Sequence, residues 1–195
     1  MRNQRGVALL TSLLIVAAMM IMGLGAITVS GLGNKMAGYS RTGESSANAA
    51  ESCVSTAIKL IQDTIDGGVV PAAYLDNAVP AGPVPTANGP TLQQEILGQL
   101  DNHTDVATNA PNTQVLVNGY MVQGDIDRLY ASPRAGSAIQ FAGGYEGVGG
   151  GASAGGVDIV YRVDCTARNT ATATTSRIVA VYACTLSGDS CQRRP

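Results

Sequence analysis

The side chains that could do chemistry in this sequence are few and scattered. There is a single histidine, His103, inside Asp101-Asn-His-Thr-Asp105. A second acidic pair is Asp125-Ile-Asp127. Catalysis needs a nucleophile, a base within reach of it and a group that orients the base. One imidazole in a polar stretch leaves little to build from, and nothing in the pattern activates the plentiful Ser and Thr hydroxyls. Both acidic groups offer oxygen ligands. Neither has the alternating acids, glycine and distant Glu of a calcium loop, so both read as solvated loop. Residues 143–156 are glycine-rich but lack a Gly-Lys-Ser/Thr ending, which makes them a flexible loop rather than a phosphate cradle. The expectation is no catalytic residue, no metal and no cofactor, hence not an enzyme.

The remaining reactive groups are four cysteines, Cys53, Cys165, Cys184 and Cys191. Zinc would want paired spacing such as Cys-x-x-Cys, which is absent, with only His103 to add an imidazole. An even number of cysteines in an oxidising compartment reads as two disulfides, with three pairings available. That reading needs the cysteines to be exported, so the export signal has to be found.

It lies at the start. Residues 1–5 carry Arg2 and Arg5 and no acid, and residues 7–30 carry no charge at all. About 20 apolar helical residues span a bilayer's hydrocarbon core. The next charge is Lys35, so the run is long enough. Arginines just before it stay cytoplasmic under the positive-inside rule, which places the rest of the chain outside the cytoplasm. A secretory signal peptide has a shorter apolar core closed by a small-residue cleavage site. This run is longer, and neither Ala26 nor Ser30 makes a clean site. A plain membrane anchor fits the run but leaves the hexapeptide Met1-Arg-Asn-Gln-Arg-Gly6 unexplained.

A short basic leader ending in Gly, directly before an apolar helix, resembles the leader of type IV prepilins. The resemblance implies cleavage after Gly6 by a membrane-embedded prepilin peptidase and methylation of the new amine of Val7. Gly has no side chain, so an extended backbone can enter a tight protease groove there. Most pilins carry Glu at the fifth mature position, which here is the neutral Thr11. In that family the missing Glu marks tip subunits, with no neighbour above them. Three blocks sharpen the match: Gln4-Arg-Gly-Val-Ala-Leu-Leu10, Asn34-Lys-Met-Ala-Gly38 and Ala49-Ala-Glu-Ser52. In order and spacing they resemble the PilX-type minor pilins over residues 1–60. Val160-Tyr-Arg-Val163 and Ala180-Val-Tyr182 resemble the last strand pair of that family more weakly.

The elements follow. Residues 7–66 contain no Pro, and Ala, Leu, Ile and Met dominate the first half, which predicts one long helix of roughly 90 Å. Ala50, Cys53, Val54, Ala57, Ile58, Ile61 and Ile65 recur at spacings of three and four, an apolar stripe. Gly67-Gly68 ends it. Glycines at positions 23, 25, 31, 33, 38 and 43 weaken the helix locally or let neighbouring helices approach closely. Pro71, Pro80, Pro83, Pro85 and Pro90 make a connecting loop rather than sheet. Residues 91–100 predict a short helix capped by Thr91, and residues 115–130 one or two strands with a turn at Asn118-Gly119. Residues 157–167 and 177–186 read as two further strands.

A long helix laid on a small antiparallel sheet is α+β, the architecture of type IV pilins. The expected organisation is a leader at 1–6, a transmembrane and assembly half at 7–33, an exported half at 34–66 and a loop-rich β-sheet head at 67–195. Cys165 shares a strand face with Val157, Ile159, Tyr161 and Val163, and Cys53 lies on the helix stripe. A Cys53–Cys165 bond is then geometrically natural. Cys184–Cys191 would close a C-terminal loop similar to that of many pilins. The resemblance implies a minor pilin that primes assembly and sits at or near the pilus tip. It is held in the inner membrane before assembly and lies on the cell surface afterwards. Its implied partners are the other minor pilins, the major pilin and a large tip adhesin. A type II secretion pseudopilin, or an anchored exported binding module unrelated to pili, are the alternatives. The formal net charge of −2, with no cluster of Lys and Arg, gives no nucleic-acid footprint.

Overall fold

The absence of Pro from residues 7–66 has its consequence in one element: helix α1 runs without interruption from Gln4 to Gly67. It ends where expected, because Gly68 takes a positive φ of 66° that costs glycine nothing. A computed structural model describes residues 4–100, 111–133, 157–185 and 190–194, and only the backbone of residues 4–6. His103 with its acidic neighbours, the glycine-rich run 143–156 and residues 1–3 lie outside the described residues. The chain divides into two units, Met1–Thr42 and Gly43–Pro195.

In the second unit α1 contributes one face to the core. Ala50, Cys53, Val54, Ala57, Leu60 and Ile61 are buried, together with the polar Ser46 and Thr64. The stripe read from the sequence is thereby shifted. Ile58 and Ile65 are only partly buried, while Leu60 and Thr64 lie inside. Full burial of a Leu or Ile side chain is worth about 1.5–3 kcal/mol, so Leu60 and Ile61 outweigh the rim positions.

Beyond α1 a 3₁₀ turn covers Ala72–Tyr74 and helix α2 covers Gly89–Leu97. The proline tract is connecting loop, as its composition requires, with one isolated parallel bridge between Leu75 and Val84. Helix α2 starts two residues before the expected cap. Pro90 sits in its first turn, where a missing N–H costs nothing and the fixed φ suits a helix. Thr91 is therefore inside the helix. Asn88 precedes it and donates its side-chain amide to the Pro111 carbonyl (3.1 Å) instead of capping.

Five strands form an antiparallel sheet in sequence order: β1 Thr113–Val117, β2 Tyr120–Pro133, β3 Val157–Asn169, β4 Thr175–Thr185 and β5 Cys191–Arg194. Asn118 (φ 50°) and Gly119 (φ 80°) form the two-residue turn between β1 and β2, the left-handed pair that matches strand twist. Between β3 and β4, the Asn169 carboxamide oxygen accepts from the N–H groups of Ala171 (2.9 Å) and Thr172 (2.8 Å). β5 was not expected. Its four residues show no alternation, and its place is set by the Cys184–Cys191 bond and by the Thr185 N–H donating to the Ser190 carbonyl (3.0 Å).

The sheet has two unlike faces. Tyr120, Val122, Ile126, Ile159, Tyr161, Val163, Cys165 and Ala167 point into the core with α1 and α2. Gly124 leaves room between them: a Cβ there would lie 2.7 Å from the Cys53 sulfur. The opposite face carries Asp125, Asp127, Asp158 and Asp164, all buried. This corrects the reading of Asp125-Ile-Asp127 as a solvated loop. The segment is the middle of β2, and period-two alternation that puts Ile126 in the core turns both acids to the other face.

Candidate functional site

The functional features divide between the two units. In the first, the described side chains from Val7 to Tyr39 are exposed, including the large apolar ones. Part of α1 from Val7 onward reaches a mean hydropathy of 2.5 and is long and apolar enough to cross a membrane by length and composition. Gly6 and Val7 are consecutive residues of its first turns. The Thr11 hydroxyl donates to the Ala8 carbonyl (3.0 Å), so it is satisfied within its own helix. Ser12 donates to Leu9 (2.9 Å) and Thr28 to Gly25 (2.8 Å) in the same way. These bonds let hydroxyl groups sit in an apolar segment without an unpaired donor. Nothing lies within 4 Å of where a Cβ would sit on Gly23, Gly25, Gly31, Gly33 or Gly38.

In the second unit the cysteines are paired. Cys53 of α1 is bonded to Cys165 of β3 across a sequence separation of 112, and Cys184 to Cys191 across 7. Both Cys53 and Cys165 belong to the buried core cluster. The pairing follows from the faces: the α1 stripe and the inward face of β3 meet, and Gly124 clears the way.

Sequence reasoning missed the polar ladder on the other face. Arg162 Nη2 lies 2.7 Å from Asp127 Oδ2, and its Nε donates to the same oxygen at 2.8 Å. Arg177 Nε donates to both oxygens of Asp164 (2.9 and 3.2 Å), and its Nη2 also bonds Oδ2. Arg194 reaches Asp158 at 3.3 Å. The bonds from Asp164 hold the Arg177 guanidinium above its usual range. The signal was Asp158, Arg162 and Asp164 sharing one parity along β3, visible only once the strand is assigned. Tyr161 buries its ring in the core and donates its hydroxyl to the Ile96 carbonyl (2.7 Å), closing the end of α2. Among the described residues no cluster of His, Cys, Asp and Glu is arranged to hold a metal.

Residues 5–54 match the PilX N-terminal family. That match supports reading the chain as a PilX-type minor pilin. It covers about a quarter of the chain and stops one residue past Cys53. No curated protein and no solved structure matches. The match and the apolar N-terminal helix together fit a membrane-anchored pilin that is later assembled into a pilus. Pilins of this family are structural proteins and work with other pilus components.

One contact ties the proline tract to helix α1. Tyr74 donates its hydroxyl to Asp63 Oδ2 (2.7 Å), and Lys59 lies 3.2 Å from Oδ1. The Tyr74 bond, helped by Lys59, holds the Asp63 carboxyl below its usual value against the opposing effect of burial. Burial, then the bond to Asp63, pushes the Tyr74 phenol up to about 12. The signs differ. Asp63's contribution is present above the ordinary carboxylate value and is lost as pH falls through its lowered one. Tyr74's is present below the ordinary phenol value and is lost as pH rises toward about 12. Tyr74→Phe is expected to return the Asp63 carboxyl toward the ordinary range, read by NMR titration. An unmoved Asp63 would show that Lys59 alone sets its value.

Proposed function

We propose that this chain is a minor subunit of a type IV pilus that helps to prime assembly and sits at or near the tip. A prepilin peptidase cuts after Gly6 and Val7 becomes the methylated mature N-terminus. Residues 7–33 serve as the assembly half in the inner membrane, and the sheet unit meets other minor pilins, the major pilin and a large tip adhesin. The observation that carries this reading is Thr11: a neutral side chain, content with the Ala8 carbonyl, in an otherwise uncharged apolar helix. A carboxylate at the centre of a bilayer costs about 2.5–3.5 kcal/mol on insertion scales, and an acid in the apolar segment needs a partner to offset its cost. A subunit with no neighbour above it has no amine to neutralise, so it can dispense with the acid. Cleavage requires the first turn of α1 to unwind. The N–H groups of that turn have no partner inside the helix, so fewer bonds break there than in its middle.

Mass spectrometry of the membrane-bound protein should find a chain beginning at methylated Val7. Gly6→Asp should leave the leader in place, seen as slower gel mobility; normal processing of that variant would mean the leader is misread. In sheared fibres this subunit should be rare beside the major pilin, and its deletion should reduce pilus number without changing fibre width. Near-equal amounts of the two would make it a bulk subunit and end the tip reading.

A further inference from the structure

Among the described residues, the first part of β4 has no strand paired on its outer side. β4 spans eleven residues, Thr175–Thr185, yet β5 pairs only with its last part, from Val181↔Arg194 to Cys184↔Cys191. The direction of each backbone group follows from two bonds. Thr185 donates its N–H to Ser190 on the β5 side, whereas Thr174 accepts from Asn169 on the β3 side. Along a strand these directions alternate, so odd-numbered residues of β4 face β5 and even-numbered ones face β3. Thr175, Arg177 and Val179 therefore aim N–H and C=O groups along the line of β5, past the point where β5 stops pairing. A groove of about 520 Å³ lies there, lined by Val179, Ala180, Val181, Arg193 and Arg194.

The charge around that groove is one-sided. The side chains of Arg177 and Arg194 are 53% and 51% exposed, and Arg193 is exposed too. The side chains of the acids beneath them, Asp164 and Asp158, are only 2% and 12% exposed. What approaches the edge meets guanidinium groups around an exposed Val179. A second copy of this strand fits badly. Antiparallel pairing of two copies centred on the open stretch sets Arg177 against Arg177, and like charges directly opposite are destabilising.

We propose that the open edge of β4 takes an added strand from a different protein, an extended segment bearing Asp or Glu. It runs antiparallel to β4 and prolongs the line of β5. Thr175, Arg177 and Val179 supply its backbone hydrogen bonds, and Arg193 and Arg194 pair with its carboxylates. Main-chain bonds give the affinity and the arginines give the choice of partner. This interface lies on the sheet unit and does not depend on where in a pilus the subunit sits.

The test uses the full-length chain in cells, with a photo-crosslinking amino acid in place of Thr175 or, separately, of Val179. Both probes are expected to join the same heterologous chain. Peptide mapping should put the two crosslinks about four residues apart on an acidic segment, in reverse order along the partner. Val179→Pro removes one outward N–H while leaving the β3 ladder intact, since Pro is tolerated where its nitrogen faces away from the sheet. It should lower the crosslink from position 175 about tenfold, the worth of one good hydrogen bond, with the unfolding temperature unchanged. Arg193→Glu should lower it as well. Crosslinks to a second copy of this chain overturn the proposal. So do crosslinks without the reversed order, an undiminished yield in Val179→Pro, or no product at all.

Discussion

Replacing Cys53 and Cys165 together by alanine is expected to cost the sheet unit about 5 kcal/mol, the loop-closure value for a bridge spanning 112 residues. The corresponding loss for Cys184 and Cys191, spanning 7, is about 2.5 kcal/mol. The longer bridge matters more because it restricts more of the unfolded chain. It also joins the long helix α1 to the central strand of the sheet. Denaturant unfolding of the oxidised full-length protein in detergent measures both. Equal losses for the two double variants would show that strain or residual structure, rather than loop length, sets the contribution.

The second large effect lies on the far face of the sheet. Arg162→Leu is expected to destabilise the protein by about 3 kcal/mol, since it withdraws a guanidinium from a fully covered Asp127 carboxylate. The double replacement Arg162→Leu with Asp127→Leu should be more stable than Arg162→Leu alone, because no buried charge is left behind. Midpoints of urea unfolding for the two single variants and the double variant complete the cycle. A loss under about 0.5 kcal/mol for Arg162→Leu, the range of ordinary surface changes, would mean that the ion pair contributes nothing to the fold.

Local signals in the sequence carried most of the architecture. The long Pro-free run gave α1, Gly67-Gly68 its end and Asn118-Gly119 the hairpin, because each depends on residues next to one another. The Cys53–Cys165 pairing came from faces that can be counted along a helix and a strand, and Cys184–Cys191 was the pair left over. The failures share a cause. Asp125 and Asp127 look like loop because they are polar, and their surroundings come from Arg162 and the rest of β3, far along the chain. β5 is too short to carry a pattern and is placed by a bond. Thr91 looks like a cap until Pro90 takes the first turn. The N-terminal segment was legible as a pattern of types and spacings over residues 5–54. The partners of the sheet unit are not written in any such pattern, since recognition at a sheet edge depends on which backbone groups remain open.

The Cys53–Cys165 bond also sets the mechanics of the chain. A pull between its two termini passes from α1 through the sulfur atoms straight into β3. The segment between the two cysteines, a sequence separation of 112, never comes under tension. Fully drawn out, that segment would add roughly 380 Å to the molecule, and the bond withholds all of it. A subunit built this way extends under load only through the stretches outside the bond while oxidised, and releases the protected segment only when a reductant reaches a disulfide whose two cysteines are buried in the core.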